Sequence, residues 1–526
     1  MQFKHFILYV LLTISGFVCA HGRSLATDQN GIYSVCEFGA KGAGQTIDTK
    51  AIQAAIDKAA SEGGGVVLFP PGQYVSGSII LKDYVVLRFA PGAILRGSLN
   101  IKDYPDDLGV LPITTDYIWR GPLIYAENAK YIGIEGGGII DGQGAWENFP
   151  PLPRSNPRPG LIRFKNCKCV TVKDMTLRHP ACWMFHLRDC EDVMVRNVLI
   201  DSFGNRNNDG IDIDGGKRIS IIGCNLHTSD DAVALKSYER GKISDIVISD
   251  CVISSEFSAI KIGTETVGDF ENISISNCVI YGSRGINLFS VDGSDVNNVT
   301  ISNISMRDCI SAIQLRLGGR MRPYEMPTDQ HLKRPGRVRN IMISNVQATG
   351  IKESQDFITG IPGYKIENVS LSNISISYYG NASRRRPLND VPEEIKAYPK
   401  TGMFGALPSY GFYVRHVDGI RMNNIRLDFV HPDLKPAIVF DDVSDIYLSD
   451  CLFEASQSDP LIQMNNVSNA VIHDIRFWGD AKTFAGVSGK ESKDIILHNN
   501  HINGIKLFSQ GSEVQKNAVK DAGQQQ

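Results

Sequence analysis

The chain has 526 residues, 42% of them hydrophobic and 21% charged, with a formal charge of −3. That is globular composition with ample material for a core, and a balance so near neutrality gives no footing for nucleic acid or an anionic membrane surface as partner. Fifty glycines against 8% aromatic residues point to a fold rich in turns.

The N-terminus reads MQFKHFILYVLLTISGFVCAHG. Lys4 precedes an apolar run from Phe6 to Val18 and a small-residue exit ending at Ala20. This predicts a signal peptide over 1–20 and a secreted or periplasmic protein. No later segment holds 18 continuous apolar residues, so no membrane span is expected. Ten cysteines come after the leader, many at one place in a recurring phrase, as in IGCNL, SDCVI and SNCVI. That regularity predicts buried thiols stacked in a repeat rather than a disulfide framework. Cys167 and Cys169 have no second pair at zinc-site spacing, so no structural zinc is expected.

Next comes TIDTKAIQAAIDKAASEGGG, in which Ala51, Ile52, Ala55, Ile56 and Ala59 share one helical face and Gly63 to Gly65 stop it. A helix there would cap the N-terminal end of a solenoid. The rest of the chain is built on a repeat. CVTVKDMTLR, DVMVRNVLID, RISIIGCNLH, DIVISDCVIS, NISISNCVIY, NVTISNISMR, NIMISNVQAT, NVSLSNISIS, GIRMNNIRLD and DIYLSDCLFE each alternate apolar residues around an Asn, Asp or Gly. Period-two alternation means strands with one buried face, and a fixed repeat of this length means a solenoid. The expected fold is all-β, a right-handed parallel β-helix of about ten or more coils with stacked Asn ladders at its turns. One domain over 21–505 is expected, with insertions near 318–337 and 380–415 that leave a rigid scaffold and so could carry function. The polar stretch 506–526 is expected to be an unordered tail, and a monomer is expected.

Five carboxylates fall in NRNNDGIDIDGGKRISIIGCNLHTSDDAVALKS: Asp209, Asp212, Asp214, Asp230 and Asp231. They could solvate turns, hold a metal or cleave a glycosidic bond. Aligning NDGIDID with DDAVALK stacks Ile211 and Ile213 under Val233 and Leu235, and Asp209 under Asp231. The same register sets Lys261 over Ala234, Asn287 over Lys261, and then Gln314 and Arg316. One outward face then runs from acids at one end to Lys261 and Arg316 at the other. Acids this close cannot all keep ordinary pKa values, and an acid paired with a carboxylate is the equipment of glycoside hydrolysis. Isolated Asp-Gly steps are ordinary turn residues, but two stacked in register are not. The calcium-loop pattern is not met. No metal and no cofactor are expected.

With these residues in place, nearly the whole chain after the leader resembles the polygalacturonase family, family 28 of the glycoside hydrolases. FGAKGAGQTIDTKAIQAAIDKAASEGGGVVLFPPGQYVSGSIIL and IIDGQGAWE are similar to its N-terminal segments. NNDGIDI resembles its Asn-Thr-Asp-Gly motif with Asn208 for Thr, and SDDAVALKS resembles its Asp-Asp motif. The resemblance implies an inverting hydrolase of a pectin-type polysaccharide or oligosaccharide. Asp230 would be the general acid, Asp209 and Asp231 would hold the water, and the carboxyls would stand roughly 6.5–9.5 Å apart. Two family motifs are absent: Phe257-Ser258-Ala259 stands where Gly-His-Gly is expected, and Asn287-Leu288-Phe289 where Arg-Ile-Lys is expected. The lost cations disfavour polygalacturonate and imply a neutral leaving-side sugar, as in rhamnogalacturonan. Lys261, Asn287, Phe289, Arg316, Tyr410, Arg415 and His416 are the substrate-binding candidates, with Trp183 and His186 one coil below the acids. A long insertion closing the groove would favour exo action. The competing readings are a polysaccharide lyase on the same fold and a carbohydrate-binding β-helix without turnover.

Overall fold

The computed structural model describes residues 31–108, 120–150, 157–322, 324, 333–381, 387–502 and 504–525. The signal peptide expected over 1–20 lies outside them. Every pairing between the described strands is parallel, and the pairings link each strand to the one a coil above and below it. The result is a parallel β-helix. The expected stacking register holds: Ile211 pairs with Val233, Val233 with Ile260, Ile260 with Ile286 and Ile286 with Ile313. These side chains are fully buried along the axis. Each such aliphatic contributes about 1.5–3 kcal/mol of hydrophobic stabilisation, which makes a core of one repeated element stable only as a stack.

The helix Thr49–Ser61 buries Ile52, Ala55, Ile56 and Ala59 in the same core. Its start is organised by Asp48, whose carboxylate accepts from the amides of Lys41 and Gly42. The chain turns away at Gly63 and Gly64 in the left-handed region. Asn ladders run up the outside: Asn424 donates to Asn373, Asn373 to Asn345, Asn345 to Asn303 and Asn303 to Asn277. All five have φ between 52° and 56°, a conformation Asn tolerates better than most residues. The ten described cysteines are free thiols, eight of them buried.

Two stretches leave the coils, between Leu317 and Val338 and between Tyr378 and Phe412. Arg415 and His416, expected at the edge of the second insertion, belong to the strand Phe412–Phe429. The C-terminal stretch also differs from expectation. Lys506–Gln510 pairs with Thr483–Ser488, and Val519–Asp521 with Lys493–His498, so 506–525 completes the last coil. Its polar composition hid the strands because an end coil has one face without a neighbour.

Candidate active site

The site grows from two strand starts on successive coils. Asn208 is fully buried and pins the turn before Ile211–Asp214: its amide donates to the Pro180 carbonyl and its oxygen accepts from the Asn205 amide. Gly210 must be glycine because a Cβ there would stand 2.5 Å from the Ala232 carbonyl. This close approach sets Asp209 beneath Asp231. One coil up, the Asp230 carbonyl accepts from the Thr228 and Ser255 hydroxyls, the latter at 2.7 Å. The Asp231 amide donates to Asp230 Oδ1 at 2.9 Å. The backbone thus aims both side chains outward at one place.

Oxygens of Asp209, Asp230 and Asp231 lie within 4.8 Å of one another. That is shorter than the carboxyl spacing expected for inversion. Their environments differ. Asp231 is buried, which alone would raise its pKa, but Lys261 Nζ donates to Oδ2 at 2.8 Å and the Ser258 amide to Oδ1 at 3.0 Å, and together with Lys236 these hold it below the ordinary value. Asp230 has the Asp231 amide but no ammonium partner among the described residues, and burial with the charges of Asp209 and Asp231 pushes it up to about 8. Asp209 is raised by burial against the pull of Lys236, whose Nζ donates to Oδ2 at 2.9 Å. This division sets Asp230 apart as the proton donor beside two acids that each face an ammonium group. Three acids this close could also hold a divalent cation, but two of them already face an ammonium group at 2.8–2.9 Å.

Lys236 is the part that sequence reasoning missed. Its ammonium lies between Asp209 and Asp212, 2.7 Å from Asp212 Oδ1, and 4.1 Å above the centre of the Trp183 ring. Asp212 is fully buried, which raises its pKa well above the ordinary range against the pull of Lys236. The run DGIDID in one phrase and Lys at the matching place in the next phrase was the available signal. Trp183 therefore cradles Lys236. His186 pairs in register with Asp212 and is buried, and burial with Arg163, Arg188 and Lys236 nearby keeps its imidazole neutral. Asp214, raised to about 6 by burial, supports the same layer.

The other candidates divide. Lys261 and Asn287 line a pocket of about 150 Å3 beside Asp230. Phe289 reaches that pocket but is 1% exposed, packed in a second apolar cluster with Phe357, Phe404 and Tyr413. Arg316 is sealed in, donating to the carbonyls of Gly360, Glu393 and Glu394. Arg415 pairs with Glu393 and Asp441, and His416 bridges Asp442 and Glu393. Tyr410 is a core residue whose hydroxyl donates to the Glu454 carbonyl. Arg316, Arg415 and His416, expected to bind sugar, instead fasten the second insertion to the coils, because Glu393 and Glu394 reach back over them. The insertion also supplies residues the sequence did not single out: Tyr398, Pro399, Lys400 and Thr401 form the pocket's outer wall.

Residues 112–395 match the sequence profile of Glycosyl hydrolases family 28. The chain belongs to that family. A shorter match, to the profile described as rhamnogalacturonase A/epimerase, pectate lyase-like, covers residues 32–95. The chain is 26% identical over 415 residues to a probable polygalacturonase of Vitis vinifera, covering 71% of this chain and 82% of that protein. It is 23% identical over 379 residues to an exopolygalacturonase of Platanus acerifolia, covering 66% and 91%. The structure is similar to the family 28 exopolygalacturonase of Yersinia enterocolitica, with TM-score 0.62, 20% identity and coverage of 79% and 78%. The exopolygalacturonase of Thermotoga maritima is similar at TM-score 0.57, 22% identity and coverage of 66% and 87%. This family 28 enzyme is a glycoside hydrolase, polygalacturonase-like in sequence and fold. Among its described residues no helix is long and apolar enough to cross a membrane.

Proposed function

We propose that the enzyme hydrolyses glycosidic bonds of a pectin-type, uronic-acid-containing polysaccharide or oligosaccharide outside the cytoplasm, by a single displacement that inverts the anomeric centre. The observation that carries this reading is the split within the acid cluster: oxygens of all three lie within 4.8 Å of one another, Asp209 and Asp231 each face an ammonium group, and Asp230, pushed up to about 8 by burial and its acidic neighbours, faces none among the described residues. Asp230 gives its proton to the leaving oxygen. Asp209, with Oδ2 committed to Lys236, takes the proton of the attacking water through Oδ1, and Asp231 holds that water. Both oxygens of Asp231 already accept hydrogen bonds, which makes it a poor nucleophile. The close spacing of the three acids is the feature least like the usual inverting pair, and the anomer of the first product is the direct test of it.

Rhamnogalacturonan is the favoured substrate over polygalacturonate. The Arg-Ile-Lys positions are Asn287, the inward Leu288 and the covered Phe289. On the Asp209 side, Lys236 is consumed by Asp209 and Asp212. Cations are thus not available on both sides of the bond, as a chain of uronates alone would require. A chain in which acidic and neutral sugars alternate fits better. Incubation with rhamnogalacturonan, polygalacturonate and oligosaccharides of each tests this. Faster, Asp230-dependent release from rhamnogalacturonan supports the reading. Equal or faster release from polygalacturonate overturns the substrate, and ultraviolet-absorbing unsaturated products overturn hydrolysis itself.

A further inference from the structure

The outward face of the solenoid is open at Asp230 and closed little more than one coil later. Lys261 and Asn287 still line the pocket. On the coils above, Gln314, Arg316, Phe357 and Tyr413 are 0–1% exposed. They are covered by the insertion between Tyr378 and Phe412. Val391, Phe404 and Leu407 pack onto Phe357 and Tyr413, Gly319 donates to the Ile395 carbonyl at 2.8 Å, and Gln355 donates to the Gly405 carbonyl at 3.0 Å. A glycan laid along the acids therefore meets a wall beyond the pocket.

The wall carries chemistry. Two hydrogen bonds clamp the insertion beside the pocket, from Thr264 Oγ1 to the Tyr398 hydroxyl at 2.8 Å and from Thr401 Oγ1 to Gln314 Oε1 at 3.1 Å. Lys400 is held between these two points. Across the pocket, the Arg284 guanidinium lies 3.8 Å from the centre of the Phe257 ring. Neither Lys400 nor Arg284 forms an ion pair among the described residues, although Lys261 beside them is paired with Asp231. Asn287 is 2% exposed and donates to Ser258 Oγ at 2.7 Å, while its Oδ1 has no donor. Two unpaired cations and an unmatched buried acceptor fit an acidic sugar, its carboxylate toward Arg284 and Lys400 and a hydroxyl toward Asn287.

We propose that this pocket is a chain-end site: it takes one terminal uronate, held by Arg284 and Lys400, and makes the enzyme exo-acting. The inference rests on the proposed hydrolase reading, and it replaces the neutral sugar expected on this side from the missing Arg-Ile-Lys. The insertion and the coil edge supply the cations that the strand Ile286–Ser290 lacks.

The test uses the full-length enzyme and pectin oligosaccharides of defined length with a free or methyl-esterified terminal uronate. Wild type releases monosaccharide from the first time points and prefers the free acid to the ester by at least about tenfold in kcat/KM. The double variant Arg284→Gln, Lys400→Gln loses that preference, mostly through KM, with an unchanged melting temperature. Mid-length fragments at early times, or an ester cleaved as fast as the acid by wild type, overturn the proposal. A second measurement needs no turnover: galacturonate titrated into Asp230→Asn binds at least about tenfold more tightly than into the triple variant with both cations removed. Equal binding overturns the proposal. Turnover that survives Asp230→Asn removes Asp230 from the proposed mechanism instead, and unsaturated products fail the hydrolase reading, so the failures are distinct.

Discussion

Lys236→Met removes an ammonium group that two buried carboxylates share. Its Nζ lies 2.9 Å from Asp209 and 2.7 Å from Asp212, and the three side chains are 6% exposed or less. Burial raises both carboxylates and Lys236 opposes it in both, so the substitution leaves Asp209 without its counter-ion. Breaking a buried pair by removing one member costs about 3–5 kcal/mol. Urea unfolding near neutral pH is expected to show a loss of that order. The sign with pH is set by the direction of the shift. A buried acid whose folded pKa is raised contributes stability below its unfolded value of about 4 and loses it as pH rises through the folded value. In the Met variant Asp209 is raised further, so the deficit grows from about pH 4 toward neutrality. Adding Asp209→Asn in the Met background removes the stranded charge and recovers most of the loss, a coupling that a double-mutant cycle reads directly. A Met variant that unfolds at the wild-type urea concentration at neutral pH, or lags equally at both pH values, refutes this reasoning.

Activity is expected to fall above about pH 8 as Asp230 loses the proton that burial and its two acidic neighbours hold; in Asp230→Asn, kcat/KM drops by about 10²–10⁴ and that limb disappears, as a pH profile will show. Asn303→Ala breaks two ladder hydrogen bonds and places Ala at φ 56°, a loss of about 2–3 kcal/mol by urea unfolding. Burial works against a charge on His416, but Asp442 and Glu393 outweigh it and raise its pKa. The fastening it gives the insertion is therefore full below about pH 6.5 and lost as pH rises through the raised value. Limited proteolysis near residues 387–411 is expected to quicken with pH in wild type and to be fast at every pH in His416→Gln.

The coils were readable because a β-helix writes its geometry as repetition. Once Ile211 was set under Val233, the places of Asp209, Asp231, Lys261 and Asn287 came from strand spacing alone. The acid cluster was legible for the same reason. The reading failed on the outward face above Asn287. Phe289, Arg316, Arg415 and His416 read as sugar-binding because outward in a bare coil means exposed, and the insertion that covers them obeys no period. Tyr410 failed for a related reason: in a stretch without a repeat, nothing separates a ring that packs inward from one that faces a sugar. Lys236 was overlooked because a Lys next to a strand end reads as solvated, and only the geometry shows its ammonium between two acids.

At the centre of the proposed mechanism, Asp230 donates a proton while water displaces the sugar from the opposite face. Proton NMR of the first product formed, with wild type and Asp230→Asn side by side on rhamnogalacturonan oligosaccharides, tests it most directly. The anomer opposite to the cleaved linkage is expected first, before mutarotation, and the Asn variant is expected to yield essentially none. A retained anomer would make one of the closely spaced carboxylates a nucleophile, and equal release by the Asn variant would remove Asp230 from the chemistry; either result contradicts the mechanism.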